Sequence, residues 1–193
     1  MTEKEKLTQG LLYDPMDGML LEQRQQCKEH CHAYNQLSPS RLWERSRLLE
    51  LIVGTCKGEP TIEQPFYCDY GYNIHLGKNF YSNHHLVILD AAPVYFGDNV
   101  FVGPSCGFYT SGHPLESRQR ASGMEYALPI VVEDNVWIGG GVHVVPGVRI
   151  GMGSVIGAGS VVTRDIAPYS IAVGNPCRVI GSVPSNDPQN VQP

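Results

Sequence analysis

The chain has 193 residues, 42% of them hydrophobic and 17% charged, enough to bury one sizeable core with a small appended element. A formal net charge of −5 gives no reason to expect a nucleic acid or an anionic membrane as partner. Met1 to Gly10 is polar and charged, and no run of about 18 apolar residues occurs, so a cytoplasmic protein without a membrane span is expected.

Positions 1–58 read as an N-terminal helical segment. Leu20, Leu21, Arg24, Cys27, Cys31 and Tyr34, then Leu42, Trp43, Leu48, Leu49, Ile52 and Val53, recur at steps of three and four, which predicts two helices. Between them Asn35-Gln-Leu-Ser-Pro39-Ser40 supplies a turn-forming Asn, a proline and a serine suited to an N-cap. The six cysteines (Cys27, Cys31, Cys56, Cys68, Cys106, Cys177) form no CxxC and fit free thiols in a reducing compartment. Cys27-Lys-Glu-His30-Cys31-His32 sets thiols and imidazoles about a helical turn apart. No second ligand cluster follows at zinc-site spacing, so the stretch reads as a polar helix and no metal is expected.

Over 59–183 a period of six takes over. Val132, Ile138, Val144, Ile150, Ile156 and Val162 are six consecutive apolar positions in one frame, each placed to point inward. Phe96 and Val102 hold the same frame upstream, and Leu76 starts a looser version. Neither a helix nor a meander of hairpins produces this spacing, whereas a left-handed parallel β-helix of hexapeptide coils does. Gly139, Gly151 and Gly157, each after an inward residue, are expected at corners with positive φ. Val136, Val142, Val148, Ser154 and Ser160 are expected to point into the narrow prism. The N-terminal helices are available to cover one open end, and the polar, proline-rich tail over 184–193 is expected to fray.

The repeat breaks over about 109–129, a polar excursion of a length that is usually functional. It carries Ser-Gly-His113-Pro. A neutral imidazole takes a proton from a hydroxyl near neutral pH, which is what makes an alcohol nucleophilic toward a thioester.

From about Lys6 to Gly181 the chain resembles the maltose and galactoside O-acetyltransferases, members of the hexapeptide-repeat acyltransferases. The matching pieces are Cys-Asp69-Tyr-Gly-Tyr-Asn-Ile, Gly-Lys-Asn-Phe-Tyr81-Ser-Asn83, Gly-His113-Pro, Asn135-Val-Trp137-Ile-Gly-Gly, Pro-Gly-Val-Arg-Ile-Gly, Gly-Ala158-Gly-Ser-Val-Val-Thr163-Arg164-Asp and Gly-Asn-Pro-Cys-Arg178-Val-Ile. The resemblance implies a homotrimer with an active site at each subunit interface and transfer of acetyl from acetyl-CoA to a sugar hydroxyl. It implies His113 as general base and Asn83 at the reacting centre, steadying the oxyanion or positioning substrate. Glu125 would lie near the acceptor, holding the imidazole in its productive tautomer or binding a sugar hydroxyl.

Asp69, Tyr81 and Asp90 match positions around the acceptor, although Asp90 could instead cap a turn and Tyr81 pack. An N-terminal aspartate is implied as a further acceptor contact, Asp17 or, in another register, Asp14. For coenzyme A, Gly140, Ala158, Thr163, Arg164 and Arg178 match a groove between coils, with the arginines on phosphates. Trp137 would wall the thioester pocket or fill a coil corner. A second basic residue shortly after Arg178 in some relatives is Gly181 here, which removes one phosphate contact.

The competing readings are a xenobiotic or amino-acid acetyltransferase of the same fold, a metal-dependent β-helix hydrase and a non-catalytic trimeric scaffold. The hydrase needs converging histidines, and His75, His84, His85 and His143 lack paired spacing. The scaffold needs neither His113 nor the excursion.

Overall fold

The structure, a computed structural model, describes residues 1–184; positions 185–193 of the expected tail lie outside the described residues. From Thr55 the chain winds into a solenoid of parallel strands with three faces. The first face stacks Thr55–Cys56, Ile74–Leu76, Val94–Phe96, Ile130–Val132 and Arg149–Ile150. The second stacks Thr61–Ile62, Tyr81–Ser82, Phe101–Val102, Trp137–Ile138, Val155–Ile156 and Ser170–Val173, closed by the antiparallel strand Arg178–Ser182. The third stacks Phe66–Cys68, Leu86–Leu89, Gly107–Tyr109, His143–Val144 and Val161–Val162.

The period of six is the period of the core. Val132, Ile138, Val144, Ile150, Ile156 and Val162 are 0 or 1% exposed, each contributing roughly 1.5–3 kcal/mol by leaving water. Val136, Val142, Val148, Ser154 and Ser160 are buried beside them. Upstream, Ile62, Cys68, Leu76, Ser82, Ile88, Phe96, Val102 and Phe108 continue the ladder, but the steps from Cys68 to Leu76 and from Ile88 to Phe96 are eight residues. From Phe108 to Val132 the chain departs for twenty-four. Every one of these longer steps falls at the corner from third face to first, so the extra residues pile along one edge of the prism.

The corner chemistry differs from the expectation in one respect. In this frame positive φ falls at Gly141, Gly153 and Gly159, two positions after the glycines expected to carry it, and among the earlier coils Asn79, Asn99 and Asn135 adopt it too. Those asparagines form a ladder, Asn79 Nδ2 donating to Asn99 Oδ1 at 2.8 Å and Asn99 Nδ2 to Asn135 Oδ1 at 3.0 Å. Gly139 and Gly151 serve close coil packing instead: a Cβ there would meet Ala158 N at 2.7 Å and Pro168 N at 2.4 Å.

Three helices precede the solenoid: α1 (Glu3–Thr8), α2 (Gly18–Gln36) and α3 (Leu42–Ile52). The hairpin of α2 and α3 lies over the first coil, where the outermost strands would otherwise present unpaired main-chain groups. Asn35 donates to Phe66 O and accepts from Phe66 N, both at 2.9 Å, taking the place of a neighbouring strand. Arg45 Nη2 donates to Ile62 O at 2.9 Å and to Glu63 at 3.2 Å. The N-cap of α3 is Arg41, without a side-chain cap bond, rather than the expected Ser40. Cys27 and Cys31 are also not on a polar face: both are buried against Cys68 of the third face.

Candidate active site

The excursion has structure of its own. Ser111–Gly112 pairs antiparallel with Tyr126–Ala127, and the short helix α4 (Ser117–Ala121) sits between them, capped by Glu116 accepting from Arg118 N and Gln119 N. The arm before α2 joins as a third segment: Tyr13 N donates to Glu125 O at 2.9 Å and Glu125 N to Tyr13 O at 3.0 Å. These segments meet the long third-to-first corner around a cavity of about 590 Å³ whose wall includes Tyr13, Asp69, Tyr70, Tyr109, His113 and Glu125.

His113 is about half exposed, its ring set between two acceptors. Nδ1 lies 3.2 Å from the carbonyl oxygen of Met124 and Nε2 lies 3.7 Å from Glu125 Oε1. A carbonyl only accepts, so in the neutral ring Nδ1 carries the proton and Nε2 keeps its lone pair. The Tyr13 hydroxyl donates to Glu125 Oε2 at 2.7 Å, which leaves Oε1 as the carboxylate oxygen beside the imidazole. Burial, with the adjacent carboxylate, holds the Tyr13 phenol well above its ordinary range, so it stays a donor. The acceptor that faces Nδ1 is thus the Met124 carbonyl, and Glu125 lies on the Nε2 side of the ring.

Asp69 lines the cavity, and burial raises its carboxyl above the ordinary value. Arg24 of α2 reaches in from above, donating to the Tyr70 hydroxyl at 2.5 Å and to Pro15 O. Asp90 differs from its expected place at the acceptor: it is 0% exposed and accepts from Asp69 N at 3.0 Å and Tyr70 N at 2.8 Å. It therefore fixes the corner that presents Asp69, and burial pushes its carboxyl up to about 6. Asp17 is also elsewhere, capping α2 through Met19 N and Leu20 N, while Asp14 Oδ1 accepts from Met16 N. The residues of this arm that line the cavity are Tyr13, Pro15 and Met16.

Asn83 and Tyr81 do not join His113 within the chain. Asn83 follows the second-face strand Tyr81–Ser82, at the corner from second face to third, so the third face separates it from His113. Asn83 N donates to Val102 O, Gly103 N to Ile138 O and Gly139 N to Ile156 O, which makes this corner a column. Gly140 and Ala158 lie in the same column, and Trp137 stands 58% exposed on the second face beside it. Arg178 lies on the closing strand of that face, whereas Thr163 and Arg164 follow Val161–Val162 at the third-face corner. Among the described residues neither Arg164 nor Arg178 is in a salt bridge.

Sequence reasoning missed Tyr13, Arg24, Tyr70 and Tyr109. The first three are held by contacts distant in sequence that leave no periodicity. Tyr109 carried a signal: it stands where the excursion begins, and its hydroxyl sits 2.9 Å from His143 Nδ1.

Two family models match the chain, the maltose acetyltransferase hexapeptide capping motif over residues 6–58 and the bacterial transferase hexapeptide over 129–164. The Saccharomyces cerevisiae protein named "Putative acetyltransferase YJL218W" is 51% identical over 184 residues, 95% of this chain and 94% of that one. A maltose O-acetyltransferase from Clostridium difficile 630 superposes with a TM-score of 0.93 at 45% identity, covering 96% of this chain and 99% of that one. A galactoside acetyltransferase in complex with coenzyme A gives 0.96 at 39% identity, covering 100% and 96%. The chain therefore belongs to the hexapeptide-repeat acetyltransferases that carry the maltose acetyltransferase capping motif. It is an acyltransferase drawing on acetyl-CoA. Among the described residues no helix is long and apolar enough to cross a membrane.

Proposed function

We propose that this enzyme acetylates a hydroxyl of a sugar, with His113 as general base, in a reducing, cytoplasmic compartment. The observation that carries the reading is the tautomer: Nδ1 is committed to the Met124 carbonyl, so Nε2 offers its lone pair beside a cavity lined with Asp69 and Glu125. Carboxylates accepting from neighbouring hydroxyls orient a sugar, and the cavity is large enough for a sugar ring.

In the step itself the acceptor hydroxyl gives its proton to Nε2 as its oxygen attacks the thioester carbonyl carbon. The tetrahedral oxyanion collapses, the carbon–sulfur bond breaks, and the imidazolium proton passes to the leaving thiolate. Glu125 Oε1, held by the Tyr13 bond on its other oxygen, accepts from a second acceptor hydroxyl.

The active unit is a homotrimer. His113 and Asn83 lie at opposite edges of the third face, so neither chain alone assembles both. Three-fold packing lets the Asn83, Gly140 and Ala158 column of one subunit face the His113 cavity of the next, and Asn83 then donates to the oxyanion. Coenzyme A lies along that column, with Trp137 at the thioester end and Thr163, Arg164 and Arg178 on its polar groups. An acceptor screen that follows CoA release tests the reading: turnover with maltose, glucose or a galactoside supports it, and turnover confined to amines or non-sugar alcohols contradicts it.

A further inference from the structure

The cysteines of α2 take no part in the chemistry above, yet they do not sit as isolated core residues. Cys27 and Cys31 lie one turn apart on α2, and Cys68 comes up from the first strand of the third face to meet both. Cys68 Sγ is 3.5 Å from Cys27 Sγ and 3.6 Å from Cys31 Sγ, and all three sulfurs lie within 4.8 Å of one another. A tetrahedral ion with bonds of about 2.3 Å to sulfur holds its thiolates about 3.8 Å apart, so these sulfurs stand close to the spacing such an ion imposes.

The cluster also has an approach. Cys31 and Cys68 form part of the wall of a second cavity, about 400 Å³, lined also by Lys28, His32, Asn35 and Gln36 of α2. Buried thiols packed only as small hydrophobes need no such opening. The donor set is all sulfur, which favours zinc, cadmium or copper(I) over the oxygen-seeking magnesium and calcium.

We propose that Cys27, Cys31 and Cys68 form a three-thiolate site for a zinc-class d10 ion, its fourth position open to the cavity and filled by water. Binding a divalent ion releases the thiol protons to solvent and leaves one net negative charge. The ion pins the capping helix to the first coil. Asp69, the residue after Cys68, lines both this cavity and the acceptor cavity, so the pin also fixes one wall of the acceptor site. The role is structural: no step of acetyl transfer passes through the ion, and the inference does not depend on the sugar reading.

The test uses the full chain, reduced, stripped with a chelator and titrated with cadmium under argon. One cadmium per chain should saturate an ultraviolet cadmium–thiolate band and raise the Tm, as binding to the native state alone requires. Cys31→Ser and Cys68→Ser, with folding checked by circular dichroism, should each lose most of the band. X-ray absorption on the loaded wild-type protein needs no variant and should return three sulfur ligands per ion. No band, an unchanged band in either folded variant, or fewer than three sulfurs around the ion overturns the site.

Discussion

His113 Nδ1 and the Met124 carbonyl oxygen lie 3.2 Å apart, which leaves Nε2 as the ring nitrogen turned toward Glu125. The bond joins the two arms of the excursion and uses a main-chain acceptor, so no side-chain substitution at position 124 removes it. It separates the tautomer of His113 from the identity of its acidic neighbour, and the role of Glu125 becomes testable by itself.

Glu125→Gln keeps a group of the same shape that can still accept from Tyr13. It should raise the KM for acceptor by about tenfold, the scale of a lost charge-assisted hydrogen bond of roughly 1.5 kcal/mol. The KM for acetyl-CoA should hold. Steady-state kinetics with both substrates checks this; a fall in kcat alone, with both KM values unchanged, would mean that the carboxylate acts through the imidazole.

Asn35→Ala removes both bonds to the Phe66 main chain and leaves two groups of the outermost coil unpaired under α2. The expected loss is about 1–3 kcal/mol in urea unfolding, for buried groups left unsatisfied. Turnover of the folded fraction should stay near normal, because Asn35 does not line the acceptor cavity.

The corner carboxylate predicts a pH signature. Asp90 sits at about 6 in the folded chain against an ordinary 3.8, so the native state holds this proton more tightly than the unfolded chain does. Its contribution to stability is therefore present below the unfolded value and lost as pH rises through about 6. Asp90→Asn has no such loss. Denaturation from pH 4 to 8 should show the variant gaining on wild type up to about pH 6 and then holding a constant difference; parallel curves would contradict the buried carboxylate.

Much of this was legible in the chain because period six is a packing constraint: a residue at Ile138 or Ile156 either fits the prism or breaks the coil. The excursion was legible as an interruption of that period. What stayed hidden depends on distances the period does not encode. Asp69 and Asp90 both matched acceptor positions, yet one lines the cavity while the other is buried and accepts from the main chain of Asp69 and Tyr70. Cys68 comes 37 residues after Cys31, outside any local metal spacing, and joins it only because α2 folds back over the first coil.

A shared site predicts complementation. Light scattering should give about three times the 21.3 kDa chain mass. Asn83→Ala and His113→Ala, each inactive alone, should regain activity when unfolded and refolded together, because some interfaces then combine an intact His113 with an intact Asn83. Mixed trimers without activity would place both residues in a site within one chain.

The central claim is that His113 Nε2 takes the acceptor proton, and the most direct measurement is the turnover of His113→Ala at saturating acceptor, alongside its affinity for acetyl-CoA. Removing a positioned base should cost about 10²- to 10⁴-fold in kcat, with acetyl-CoA binding and trimer mass unchanged. Near-normal turnover in the variant, or a loss explained entirely by failed folding or failed acetyl-CoA binding, would contradict the account.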